Sequence, residues 1–159
     1  MASVLFQDAA AAARTRRAAR AVLSLYCLLV AAVVLWPVHV DANAGGESLR
    51  LLLETGHAVG WLPAWFGYNQ VEWLSNVVMF VPLGLLLTLL LPARRRFGAV
   101  VISALATCVI ETVQLLLPGR TSSLWDIFAN SLGGLLGWGL GILLIHCVAV
   151  RLRAKTPVK

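Results

Sequence analysis

ETVQLLLPGRTSSLWDIFAN, residues 111–130, decides how this chain is read. It closes one long apolar run with Glu111 and Gln114 and turns through Pro118-Gly119-Arg120-Thr121-Ser122-Ser123. It then opens a second apolar run with Asp126 and Asn130. Two apolar runs joined by a short Pro/Gly/Ser turn predict two antiparallel helices. The sequence on both sides is too apolar for water, so the acids and amides at the junction need a physical reason.

Of 159 residues, 60% are hydrophobic and only 13% charged. Soluble domains are nearer half apolar and a quarter charged, so the composition predicts an integral membrane protein folded as one unit. A formal charge of +6 raises nucleic acid as a partner. The basic residues instead flank apolar runs in short clusters, which is a membrane pattern, so no nucleic acid is expected. Cys27, Cys108 and Cys147 lie inside apolar runs at spacings that fit no metal site or disulfide framework, and are read as small packing residues. His39, His57 and His146 do not form a ligand set. No Ser/His/Asp grouping and no phosphate-binding glycine loop is present. No cofactor and no metal is expected.

Four runs are long enough to cross a bilayer, which takes about 20 mostly apolar residues. They are residues 21–40, 73–91, 97–117 and 125–150. Residues 1–20 form a basic N-terminal segment, its first thirteen residues frayed or a short surface helix, and residues 151–159 a basic tail. A cleaved signal peptide is the rival reading for the first run, with Ala42-Asn43-Ala44 as a small-residue site, but its apolar stretch exceeds the usual 7–15 or so residues. Residues 41–72 form one long loop. Asn43-Ala44-Gly45-Gly46 reads as a turn. The following segment reads as a short amphipathic helix on the membrane surface, with Leu49, Leu52 and Leu53 on one face and Trp61 and Trp65 as interfacial anchors. Pro82 inside the second run predicts a kink or local opening near Val78–Pro82, with a neighbour satisfying the freed carbonyl.

The fold class expected is therefore all-α, a four-transmembrane helix bundle with an interfacial helix in the first external loop. Orientation follows from charge. The N-terminal segment, Arg94–Arg96 and the C-terminal tail hold every Lys and Arg except Arg50 and Arg120. Both termini inside satisfies the positive-inside rule at each loop, and places Trp36, Trp73 and Trp125 together at the outer rim.

With that orientation the polar groups converge at one depth. Glu111 lies roughly 9 Å below the outer end of its run, with Gln114 shallower. Asp126 stands at the surface, with Asn130 and Asn76 each about one turn down. Thr107, Glu111 and Gln114 share a helix face, as do Asp126, Asn130, Gly133 or Gly134, and Gly137, and as do Asn76, Phe80 and Gly84. Gly133, Gly137 and Gly141 repeat every four positions, a spacing that admits close helix packing. Ionisable groups in a membrane mark function or an internal partner. Asn76, Glu111, Gln114, Arg120, Asp126 and Asn130 are therefore the candidate ligand-binding set, with Gly84, Gly133, Gly134, Gly137 and Gly141 as packing residues. The same observations admit a structural account. The amides can fasten helices, Asp126 can serve the first turn of the last helix beside Ser122 or Ser123, and Arg120 can anchor at the interface.

These residues resemble a known family. Asn76, Phe80, Pro82 and Gly84 look like the N-x-x-x-F-x-P-x-G segment of VanZ-like membrane proteins. Glu111 and Gln114 are similar to its E-x-x-Q, and Arg120, Asp126, Asn130 and Gly133 or Gly134 to its R…D-x-x-x-N-x-x-G. The resemblance covers about residues 70–140, with the first run and external loop matching only loosely. It implies a small multi-pass protein of the bacterial cytoplasmic membrane, in a family named for a member associated with resistance to the glycopeptide teicoplanin.

Three functions fit. The first is an envelope protein that holds a lipid head group, a lipid-linked envelope precursor or an amphiphile in an outer-leaflet polar pocket. The second is an enzyme acting on a lipid-linked substrate, with Glu111 or Asp126 as catalytic acid or base and Arg120 holding an anionic group. The third is a structural or transport subunit whose polar groups only fasten helices. Four spans are few for a transporter monomer, so that reading requires a homo-oligomer.

Overall fold

The computed structural model describes residues 2–34, 44–117 and 123–155. Trp36, His39, Asn43 and Arg120, all singled out above, lie outside them. The regular structure among the described residues is all helical, without strands: α1 (Ala2–Val34), α2 (Ala44–Ala58), α3 (Tyr68–Leu90), α4 (Gly98–Gln114) and α5 (Leu124–Lys155), with a short 3-10 turn over Ala93–Arg95. Three helices are long and apolar enough to cross a membrane: Ala13–Val34 of α1, Tyr68–Leu90, and Leu124–Ala154 of α5. Helix α4 is apolar but shorter, at 17 residues.

Three expectations change. The N-terminal segment is neither frayed nor a separate surface helix, because α1 runs unbroken from Ala2 into the first apolar run. Its alanines and arginines are strong helix formers, and no Gly or Pro interrupts them. Ala44, Gly45 and Gly46 are not a turn but the start of α2. First-turn N–H groups have no intrahelical partner, so glycine costs less there than in a helix interior. The three cysteines are exposed rather than packed.

The contacts fix the directions of the helices. Gly133 sits against the Val77 carbonyl, Gly137 against that of Val81, and Gly141 against Thr88, so α3 and α5 run parallel. Asn130 meets Thr107 and Gly134 meets Ser103, so α4 runs antiparallel to α5. The last residue of α1, Val34, meets Gln114 at the end of α4. The ends of α1 and α4 therefore share one side of the molecule with the starts of α3 and α5.

The α3–α5 seam is held by missing side chains. A Cβ added at Gly84 would fall 2.2 Å from the Gly134 carbonyl oxygen. One at Gly133 would fall 2.2 Å from that of Val77, and one at Gly137 2.1 Å from that of Val81. Only glycine permits this approach, and it brings the two backbones into direct van der Waals contact. Phe80 fills the space beside the seam at 1% exposure.

Helix α4 completes the core with an inverted pattern. Its buried face is Ala99, Ser103, Thr107, Glu111 and Gln114, while Val101, Leu105 and Val109 are exposed. Hydroxyls can be buried there because they bond to their own helix. Ser103 Oγ donates to the Ala99 carbonyl at 2.8 Å, and on α3 Thr88 Oγ1 donates to that of Gly84 at 2.7 Å.

Helix α3 passes through Pro82 without a break. Pro82 has no N–H for the Val78 carbonyl four residues before it, and the Tyr26 hydroxyl of α1 bonds the adjacent carbonyl, that of Met79. On α2, Leu49, Leu53 and Gly56 share the half-buried face, whereas Leu52 is 69% exposed.

Gly133→Ala and Gly137→Ala should each lower stability by about 1–3 kcal/mol, the usual cost of overpacking. Gly139→Ala, where nothing lies within 4 Å of an added Cβ, should be neutral or slightly stabilising. Thermal unfolding of the detergent-purified variants checks this; equal losses at all three positions would refute the seam.

Candidate functional site

The site is built where α3 and α5 begin. Gly67 precedes α3, and its N–H donates to Gln70 Oε1 at 2.8 Å, which fixes the first turn carrying Asn69, Gln70, Glu72 and Trp73. The loop before it is also held. Phe66 N–H donates to the Pro63 carbonyl at 2.9 Å, and His57 Nε2 lies 2.9 Å from the Phe66 carbonyl oxygen. Trp65 and Phe66 meet edge to face at 5.9 Å.

Ser123 starts α5. Its Oγ accepts from Trp125 N–H at 3.1 Å, and its carbonyl accepts from the N–H groups of Asp126 and Ile127 at 3.1 and 3.3 Å. Its own N–H donates to Glu111 Oε2 at 2.9 Å. Glu111, 4% exposed, thus reaches from the end of α4 to bind the start of α5. A carboxylate here satisfies an orphan donor and lies favourably on the helix dipole. Trp73 stacks on Phe128, centroids 6.2 Å apart, closing the inner side of the two first turns.

Between these elements lies a cleft of about 740 Å³, lined by Trp65, Phe66, Asn69, Gln70, Glu72, Trp73, Leu74, Ser123, Trp125 and Asp126. Of the five described members of the candidate set, Asp126 alone lines it. Asn76 stands behind, its Nδ2 donating to Asp126 Oδ1 at 2.8 Å, so α3 orients the carboxylate on α5.

The other described candidates make separate interhelical bonds. Asn130 is 2% exposed and donates from Nδ2 to Thr107 Oγ1 at 2.9 Å, while its Oδ1 has no hydrogen-bond partner. Gln114 Nε2 donates to the Val34 carbonyl at 3.0 Å and caps the end of α1. Glu111 joins α4 to α5. These three groups fasten α1, α4 and α5 at one end, and none of them lines the cleft.

The residues not singled out from sequence as ligand-facing are Asn69, Gln70, Glu72 and Phe66, with Trp65 and Trp73 as walls and not only as anchors. The density of aromatics and amides in WFGYNQVEW, residues 65–73, was the available signal. Among the described residues, no three of His, Cys, Asp and Glu gather as a metal-binding group.

Three apolar helices of spanning length, packed through glycines and tied together by buried polar groups, define an all-helical integral membrane protein. The VanZ/LLP1 family model matches residues 23–145, and the chain belongs to the VanZ-like family. The match begins at Leu23, so it takes in the last part of α1 and the α2 segment, where the motifs alone had suggested only a loose fit. No curated protein and no solved structure matches the chain.

Glu111→Gln keeps an oxygen acceptor for Ser123 N–H and should leave the protein folded. Glu111→Ala and Thr107→Val, which orphan Ser123 N–H and Asn130 Nδ2, should each cost about 0.5–2 kcal/mol. Thermal inactivation in nanodiscs separates these outcomes, and a Gln variant as unstable as the Ala variant would contradict the assignment.

Proposed function

We propose that the chain crosses the bacterial cytoplasmic membrane four times with both termini inside. We further propose that the cleft between the starts of α3 and α5 holds the head group of a lipid, a lipid-linked envelope precursor or another amphiphile in the outer leaflet. Helix α4 is about 25 Å long at 1.5 Å per residue. Packed between longer helices with its apolar side outward, it is a reasonable fourth span once Leu115–Leu117 are added. Arg94–Arg96 and the start of α1 lie at the end away from the cleft, in keeping with the positive-inside rule. Helix α2 then rests on the outer surface, with Leu49 and Leu53 on its half-buried face.

The cleft itself carries the functional reading. Its lining combines three tryptophans and a phenylalanine with carboxylates and amides. Aromatic rings with one apolar and one polar edge favour the boundary between head groups and acyl chains. A cavity of this volume suits a head group rather than a single ion. Trp125, 71% exposed, would flank the entrance. A lipoglycopeptide such as teicoplanin, with an acyl chain and polar groups, falls within the same chemical description.

The first test is native mass spectrometry of protein released from nanodiscs made with native lipid extract. Wild type should retain bound amphiphile, and Trp125→Ala and Asn69→Ala should reduce occupancy about tenfold with helical content unchanged. Equal retention by all three would reject the cleft as the site. The second is thiol labelling of a cysteine-free background: a cysteine at Thr55 should react from outside the cell and one at Ala93 only from inside. The reverse pattern would reject the orientation.

A further inference from the structure

We infer that a groove between α1, α3 and α4 holds one acyl chain of a bilayer phospholipid, lying lengthwise along α1. The inference stands apart from the reading above, since no residue of the cleft lines this groove. Its volume is about 320 Å³. On α1 it runs from Tyr26 to Val34, and α3 and α4 supply the other sides with Phe80, Leu83, Val109 and Ile110. Cys27 and Val109 both line it and are both exposed, so it opens sideways between α1 and α4.

Two polar ties hold α1 at the ends of this stretch. The Tyr26 hydroxyl bonds the Met79 carbonyl, and the Val34 carbonyl accepts from Gln114 Nε2. Between the ties Ala31 and Ala106 face the groove, and their methyl groups are too small to fill it. Tyr26–Val34 and Phe80–Leu83 lie inside stretches long and apolar enough to cross a membrane, so acyl chains surround the opening.

The lining excludes water. Its polar side-chain groups are the Tyr26 hydroxyl, already bonded, and the Cys27 thiol. A buried water needs two to four polar partners, and an apolar cavity without them stays dry. A void is unfavourable too, because its lining atoms lose dispersion contacts.

Dimensions select the occupant. Tyr26 to Val34 spans about 12 Å at about 1.5 Å per residue. Spread over that length, the volume gives a mean cross-section of about 27 Å², or about 6 Å across. A helix from a second copy is about 10–12 Å across and does not enter. A single alkyl chain does, since non-bonded carbons approach to about 3.5–4 Å. With C–C bonds advancing roughly 1.3 Å each along an extended chain, about nine methylenes fit. Residues 35–43 follow Val34 outside the described residues, and the test below reads them as a rival occupant.

The test uses the full chain in nanodiscs doped with a phosphatidylglycerol that carries a photoreactive diazirine midway along one chain. One sample is irradiated in the nanodisc and a second after exchange into glyco-diosgenin, a detergent without an alkyl chain. Peptide mass spectrometry maps the adducts. In nanodiscs the groove residues and the outward-facing Leu28 and Leu29, which do not line it, should all be labelled. After exchange one adduct per chain should remain, on Cys27, Val30 or Val109. Ala31→Phe and Ala106→Phe fill the groove and should each cut that adduct about tenfold with circular dichroism unchanged. Ala31→Leu takes the place of a phenylalanine variant that fails to fold.

Loss of all adducts on exchange, or a retained adduct indifferent to the filling variants, would overturn the inference. Absence of groove adducts even in nanodiscs would assign the space to residues 35–43. A Cys27–Cys27 crosslink between chains on oxidation, with no retained lipid, would assign it to a second copy. Either result overturns the acyl chain. Each of these outcomes leaves the cleft reading to its own Trp125-dependent test.

Discussion

The closeness of the α3 and α5 backbones governs the rest of the structure. Gly84, Gly133 and Gly137 leave no room for a Cβ, and the two helices lie parallel in direct contact. Parallel alignment places both helix starts at one end, side by side. The first turn of α3 supplies Asn69, Gln70, Glu72 and Trp73, and that of α5 supplies Trp125 and Asp126. A wider spacing would separate the two walls of the cleft and carry Asn76 out of reach of Asp126.

Helix α4 shows the second constraint. In lipid, buried polar groups need partners inside the protein, and the outward side must be apolar. Thus α4 presents valine and leucine outward and Ser103, Thr107, Glu111 and Gln114 inward. Each inward group has a defined partner: its own helix for Ser103, α5 for Thr107 and Glu111, and α1 for Gln114. Attraction between helices in a bilayer comes from packing and such bonds rather than from hydrophobic burial. Glu111 is explained in these terms without a ligand, since it supplies the acceptor that the start of α5 lacks.

The division of labour among the polar residues follows. Those deep on α4 and α5 bond to other helices, while Asn69, Gln70, Glu72 and Asp126 near the starts of α3 and α5 line the cleft. Asp126 belongs to both groups, fixed by Asn76 and lining the cleft.

Composition and apolar run length alone determined an all-helical membrane chain, because a bilayer accepts few backbone solutions. The order of motifs in residues 76–134 determined the family. Helical spacing also assembled the Thr107–Glu111–Gln114 stripe and the Gly133–Gly137–Gly141 row, since a regular helix converts sequence intervals into faces. Only the tertiary structure decided which polar residue meets which. Thr107 and Asn130 are 23 positions apart and Asn76 and Asp126 are 50 apart, and no local rule pairs them. It also decided that Trp65 and Glu72 share a cleft with Asp126. A cavity is the space left between packed elements, and its lining depends on helix direction and separation rather than on the character of any one segment.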